Sequence, residues 1–408
     1  YNVKPLLAKY IKGLGVKPLD HFMITHLLKD GNRIAGCMGF DVLKGDFITV
    51  RCKTAVLCMG LTAQRVSNNS SHKPFNQWFS PFVTGSLPLE AGASVLNLDI
   101  SDMATMLPKG WGAPGMNGIN NMGGHELNAR GERFMGKYDP MLENGLRRNQ
   151  VMGTFQEMLE GYGPPFFMDM THFTTEDARH LQYDLMPGDK ETYLEYCEAR
   201  KIDFTKTPLE VEVGERMIGG IVRSDATQET DVENLFNGNI IHSFSGAMCL
   251  GYAAGGFAAR KAAEVEMPSL PEDMVERRRA EIYAPLENGG KGSVSWNVFE
   301  DGIRQVMDYY VGYQRTEGSM EQALKSFETL AAYVPRIAAS TVRELMRSHE
   351  SMELFRLCRC YVQACMQRKE SGRAMYRRAD YPELDPALAK CLVTSLDESG
   401  NPVFRWND

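Results

Sequence analysis

The sequence predicts an α/β protein carrying an additional helical domain, and three observations predict it. From Ile34 to Gly60 the chain reads strand, turn, strand, turn, strand. A second apolar strand, NIIHSF, leads into a helix built of glycine and alanine, and from Pro271 onward apolar residues recur at helical spacing. At 408 residues the chain exceeds the size at which a single core keeps growing, so two or three packed units are expected.

Each element has a local reason. IAGCMGFDVL and FITVRC alternate and carry β-branched residues, whereas TAVLCMG is nearly continuously apolar and suits a strand buried on both faces. That third strand ends at Met59 and Gly60, and α/β folds place ligands beyond the carboxyl ends of such strands. Residues 61–218 are mixed in character: loop-rich to Gly136, helical from Leu142 to Glu160, then polar and helical around Glu176 to Arg200. Strand character returns in IGGIV and NIIHSF, followed by the small-residue helix GAMCLGYAAGGFAARKAAE. Beyond Pro271 two apolar stripes, Leu324, Phe327, Leu330 and Val334, then Val342, Leu345, Met346, Met352 and Phe355, predict packed helices ending before Pro382.

Composition excludes several classes of function. A formal charge of -7 with no basic stripe argues against nucleic acid, and the longest cationic run, Arg277 to Arg279, reads as a solvated helix face. No apolar run approaches the roughly 20 residues that cross a bilayer, and YNVKPLLAKYIKG lacks a signal-peptide core, so a soluble cytoplasmic protein with no direct membrane span is expected. Nine cysteines without framework spacing fit a reducing compartment. Cys358, Cys360 and Cys365 sit in a helical segment and read as buried structural thiols, with no metal site expected.

The most distinctive stretch is GGHELNARGERFMGKYDPMLENGLRRNQV, from Gly123 to Val151. Asn-x-x-Gly-Glu-Arg-Phe-Met followed by Tyr-Asp-Pro and an arginine pair is hard to produce by chance. It resembles the substrate face of the succinate dehydrogenase and fumarate reductase flavoprotein superfamily. Within that superfamily it is closest to the alpha subunit of dissimilatory adenylylsulfate reductase, which LEGYGPPFFMDM and the region from YAPLE to YRRADYPELD also resemble. The resemblance implies part of a Rossmann-like FAD-binding fold (1–85, returning at 219–270), an inserted α+β capping domain (86–218) and a helical C-terminal domain (271–408).

It also implies roles. FAD would lie against Met59, Gly60, Ser245, Gly246, Ala247, Gly251 and Tyr252, where small residues at a helix start permit close approach and amides offset charge on a reduced ring. Read alone, those glycines serve tight helix-to-sheet packing equally well. The family's substrate arginine falls on Arg147 in the adenylylsulfate reductase spacing and on Arg148 in the succinate dehydrogenase spacing; a guanidinium there fixes an anion bidentately. Asn117, His125 and Glu126 lie on the implied substrate face. Glu215 stands where the family carries an active-site histidine, Cys249 where succinate dehydrogenases carry a second arginine, and Asn117 where adenylylsulfate reductase places an aromatic residue. A dicarboxylate therefore lacks two of its expected partners. Taken singly, His125 and His242 read as packing or surface residues, and Trp78 and Trp111 as loop anchors.

No N-terminal Gly-x-Gly-x-x-Gly between a strand and a helix, the motif that cradles the FAD pyrophosphate in this family, is found, so roughly the first third of the usual subunit is expected to be missing or carried elsewhere. The reading is a flavoprotein oxidoreductase subunit that reduces a small anionic substrate with electrons from an iron–sulfur, ferredoxin-like partner. Two alternatives stand beside it: a fumarate reductase or succinate dehydrogenase type acting on another organic acid, and a non-catalytic scaffold remnant.

Overall fold

The computed structural model describes residues 3–59, 86–100, 102–103, 106–110, 117–185, 191–213, 216–217, 220–238, 244–374 and 376–407. Helix α1 (Val3–Gly13) precedes an antiparallel meander of β1 (Phe22–Asp30), β2 (Arg33–Asp41) and β3 (Phe47–Arg51). The last two strands are those expected from alternation. Strand β1 is an addition, because register shifts at Ile24/His26 and Leu28/Lys29 break the period of two that would have revealed it.

The short β4 (Ala55–Leu57) leaves the meander. Then come α2 (Ser86–Ala91), β5 (Val95–Leu96), β6 (Met106–Pro108), α3 (Asn117–Asn121) and β7 (His125–Leu127). Helix α4 (Arg147–Leu159) is followed by β8 (Phe166–Asp169), α5 (Thr175–His180), α6 (Glu191–Arg200) and β9 (Leu209–Val213). Strands β6, β9, β8 and β7, in that order, form one antiparallel sheet over a core of Phe134, Met135, Phe166, Met168 and Leu209. The expected helix from Leu142 is shorter: a 3-10 turn, Leu142–Asn144, comes first, and α4 starts only at Arg147. The expected polar helix from Glu176 is also broken, its first part ending in a π turn at Leu181–Leu185.

Next are β10 (Ile221–Val222), β11 (Leu235–Asn237) and α7 (Phe244–Glu264). Strand β11 pairs in parallel with β4, Leu235 opposite Ala55 and Asn237 opposite Leu57. The strand expected in NIIHSF falls on residues 239–243, outside the described residues; the described partner of β4 is Leu235–Asn237.

The C-terminal region contains α8 (Glu272–Glu287), α9 (Trp296–Tyr310), α10 (Glu317–Ala331) and α11 (Val342–Gln367). Phe299, Ile303, Met307, Phe327, Leu354 and Tyr361 build its core, with Leu324, Leu330 and Val334 packed against them as the stripe predicted. Cys358, Cys360 and Cys365 are buried here, and burial pushes the Cys360 thiol up to about 12, the behaviour of structural thiols. The region is not wholly helical, however. It closes in a hairpin, β12 (Cys391–Leu396) and β13 (Pro402–Asn407), and β12 pairs with β5, which in turn pairs with β10. The signal was local: two alternating runs flank Asp-Glu-Ser-Gly, where Asp397 Oδ1 accepts from the amides of Ser399 and Asn401.

Three arginines, Arg315, Arg368 and Arg378, are among the largest fully buried side chains. Arg368 pairs with Asp99 and with Glu370 at 2.9 Å, and donates to Leu388 O at 2.8 Å, tying the end of α11 to the segment after β5. Arg378, from the YRRADYPELD motif, meets Glu317 at 2.7 Å and Asp380 at 2.9 Å. Removing one member of such a network leaves buried charge unpaired. Arg368→Ala is expected to destabilise the protein by about 3–5 kcal/mol, measured by denaturant unfolding; a loss below about 1 kcal/mol would contradict this account.

Candidate functional site

The Gly123 to Val151 stretch forms a platform whose members mostly bind one another. Asn128 is fully buried: its Nδ2 donates to Glu132 at 3.1 Å and Glu157 at 2.8 Å, and its Oδ1 accepts from the amides of Arg130 and Glu132. That loop closes at Gly131, whose φ of +77° is the left-handed conformation that glycine adopts without strain. Arg133 forks onto Glu143, with Nε at 2.9 Å and Nη2 at 2.6 Å. Lys137 and the Tyr138 hydroxyl both reach Glu157 Oε1, at 2.9 and 2.8 Å. Burial alone would raise the carboxyls of Glu143 and Glu157, but these donors outweigh it and hold both below the usual range.

The same platform sets where α4 begins. Asp139 accepts from the amides of Met141 and Leu146 and from Asn149 Nδ2 at 2.8 Å. Gly145 crosses that carboxylate so closely that an added Cβ would lie 2.1 Å from its Cγ. Gln150 donates to the carbonyls of Glu143 and Gly145. On the far side of the helix, Phe155 stacks on Tyr313 with ring centroids 4.4 Å apart, locking α4 to the C-terminal region. Arg147 and Arg148 are therefore the first two residues of a helix whose start is immobilised, and Leu146, the residue before them, provides no side-chain cap. Arg147 is exposed and Arg148 half-buried.

His125 and Glu126 do not act together. They are successive residues of β7, so their side chains leave opposite faces of the sheet. His125 is half-buried, and burial, with the nearby Arg133 guanidinium, lowers its imidazole. Glu126 is completely buried: Oε1 accepts from Asn120 Nδ2 at 2.9 Å, and burial, with the Glu143 charge, pushes its carboxyl up to about 8. The expected substrate role of Glu126 is thus corrected to that of an interior, neutral carboxylic acid.

Around the parallel pair, the carboxyl ends of β4 and β11 meet α7. A Cβ at Gly238 would lie 2.6 Å from Cys58 Sγ and 3.3 Å from Gly251 Cα, so backbone meets backbone there. Ala254 and Ala258 bury themselves against Phe236, which is the helix-to-sheet packing of one face. Ala247 and Gly251 continue that same face toward the helix start, and among the described residues added Cβ atoms at Gly251 and Gly255 would meet nothing within 4 Å, while Ala247, Cys249 and Tyr252 are exposed. Gly246 sits in the first turn. An open strip of small residues at a helix start beyond two parallel strands fits the flat ring of a flavin. Met59 is partly buried against the cluster around Leu57 and Ile34.

Gly60, Glu215, His242, Trp78 and Trp111 lie outside the described residues, as do the side chains of Asn117 and Ser245. Sequence reasoning missed Glu143 and Glu157, which look like ordinary helix and turn carboxylates, and the pair Asp169 and His172, whose Asp-x-x-His spacing after a strand was the available signal. Among the described residues no helix is long and apolar enough to cross a membrane.

Residues 300–404 match the family described as fumarate reductase flavoprotein C-term. A subunit of the CoM/CoB fumarate reductase of Methanothermobacter marburgensis is 23% identical over 416 residues, covering 95% of this chain and 72% of the relative. The fumarate reductase flavoprotein subunit of Haemophilus influenzae is 22% identical, covering 95% and 69%. Among solved structures, E. coli quinol fumarate reductase superposes with a TM-score of 0.81 at 19% identity over 99% of this chain and 74% of that one. Adenylylsulfate reductase from Archaeoglobus fulgidus gives 0.79 at 20% identity over 94% and 71%. Over nearly its whole length the chain is similar to flavoprotein subunits of fumarate reductase and succinate dehydrogenase, and its residues 300–404 carry the match to their C-terminal region.

The state of Glu126 has a measurable consequence. Below about pH 4.5 the group is protonated folded and unfolded; between 4.5 and about 8 only the unfolded chain releases its proton, so stability falls as pH rises through this window. Glu126→Gln, which preserves the bond from Asn120, is expected to flatten stability between pH 5 and 8 and to raise it near neutrality. Unfolding curves that keep the wild-type slope in this variant would refute a neutral Glu126.

Proposed function

We propose that this protein is a flavoprotein of the succinate dehydrogenase and fumarate reductase superfamily that reduces a small anionic substrate with electrons from an iron–sulfur, ferredoxin-like partner, in the manner of an adenylylsulfate reductase alpha subunit. The observation that carries the reading is the start of α4, where two consecutive arginines occupy the first turn of a helix that Asp139, Glu143 and Gln150 hold in place. A helix start is electropositive, and a guanidinium adds a bidentate donor, so the anion is oriented before electrons arrive. The open strip of α7, with Gly246, Ala247, Gly251 and Tyr252, would hold the flavin ring. FAD bound there supplies the redox chemistry, passing electrons between the partner and the substrate. The first-turn amides of α7 would offset negative charge on the reduced ring.

The division into domains belongs to the same proposal: 1–85 and 219–270 build the FAD-binding fold, 86–218 caps it and 271–408 supports the cap. A second reading, an organic acid as substrate, is favoured by the relatives named fumarate reductase. In that case Arg147 or Arg148 would hold one carboxylate, and the second would lack the arginine replaced by Cys249.

The test uses the protein purified with its partner from its own source. A flavin spectrum is expected, together with turnover of adenylylsulfate or fumarate driven by a reduced viologen, which separates the two readings. Arg147→Ala or Arg148→Ala is expected to lower kcat/KM by about 10²-fold, roughly 3 kcal/mol of transition-state binding, with the flavin spectrum intact. Unchanged turnover in both variants, or a protein without flavin, would overturn the proposal.

A further inference from the structure

On the sheet that carries β7, three side chains converge. His125 from β7 and His172, just beyond β8, stack with ring centroids 4.0 Å apart and planes 13° apart. Asp169 ends β8, and one potential ligand atom from each of the three residues lies within 4.8 Å of the others. Hydrogen bonds orient the set. His172 Nε2 lies 2.9 Å from Gly123 O, and a carbonyl only accepts, so Nε2 carries the proton. Asp169 Oδ1 accepts from the Thr171 amide at 2.9 Å and from its hydroxyl at 2.7 Å, leaving Oδ2 directed at His172 Nδ1, 4.0 Å away.

That arrangement faces a lone pair toward a carboxylate. With its proton on Nε2, a neutral His172 presents an unprotonated Nδ1 to Asp169 across a gap too long for a hydrogen bond. A cation in the gap satisfies both. The fixed tautomer and the anchored carboxylate are the supports that metal-ligating histidines and carboxylates ordinarily have.

We infer that His125, Asp169 and His172 form a binding site for a divalent first-row transition ion, such as Zn2+, on the capping sheet. Two imidazoles and one carboxylate are the donors such ions prefer, and the exposed side of His172 leaves the remaining coordination positions to water. Metal-ligand distances of about 2.0–2.1 Å place ligand atoms about 3.3 Å apart, so from separations within 4.8 Å the cluster closes by up to about 1.5 Å, with one ring turning out of the stack to aim its nitrogen at the ion.

The test is metal binding, independent of turnover. The full chain, stripped with a chelator, is titrated with Zn2+ against a chromophoric competitor and separately with Co2+ in a visible spectrometer. One equivalent is expected, with a Co2+ ligand-field band and a metal-dependent rise in Tm. His125→Ala, His172→Ala and the isosteric Asp169→Asn should each weaken binding tenfold or more, whereas His180→Ala, at the exposed pair with Asp184, should leave it unchanged. Absence of stoichiometric binding by the unaltered chain, or binding that survives Asp169→Asn and both alanine variants, would overturn the site. Should an alanine variant fail to fold, the Co2+ spectrum of the unaltered chain and the Asp169→Asn titration decide.

Discussion

Two buried carboxylates, Glu143 and Glu157, organise the region on which any chemistry at α4 depends. Each is nearly inaccessible, and each stays ionised because cations and amides surround it: Arg133 for Glu143, Lys137 with Asn128 and Tyr138 for Glu157. A buried carboxylate without donors would neutralise itself or open the fold, so the sequence between Asn128 and Gln150 is constrained as a set. The outcome is a helix start that cannot drift. Arg147 and Arg148 inherit that rigidity.

The same sheet separates two neutral-pH states within one dipeptide. Glu126 points inward and remains a neutral acid, whereas His125 points outward and stacks on His172. Strand geometry produces this division, since successive side chains leave opposite faces. On α7 the division runs along one face: Ala254 and Ala258 pack on Phe236, while nearer the helix start Ala247 is exposed and, among the described residues, nothing lies within 4 Å of a Cβ added at Gly251. At the C-terminus, Arg368 and Arg378 serve as internal struts, and the YRRADYPELD motif owes its form to them as much as to any ligand.

Much was legible because it was local. The strands β2 and β3, the glycine helix and the apolar stripes of α10 and α11 follow from periodicity, and the arginine pair was visible beside its motif. Strand β1 was hidden by bulges, and the hairpin of β12 and β13 by a reading that extended helical character past its last turn. The ladder with β4 uses Leu235 to Asn237, which no periodicity marked. The depth of Glu126 was not legible either, because it is set by neighbours in space, Asn120 and the Glu143 charge.

Periodicity, turn chemistry and a long specific motif are properties of contiguous residues, and through them the amino-acid order alone pointed to mixed helix and sheet, to the flavoprotein resemblance and to a helix bearing Arg147 and Arg148. Which carboxyl is ionised and which histidine stacks on His172 depend on residues ten or more positions apart. Burial and electrostatics act through space with no regard for chain separation, so these features came into being only when β7, β8, α4 and the C-terminal core were packed together.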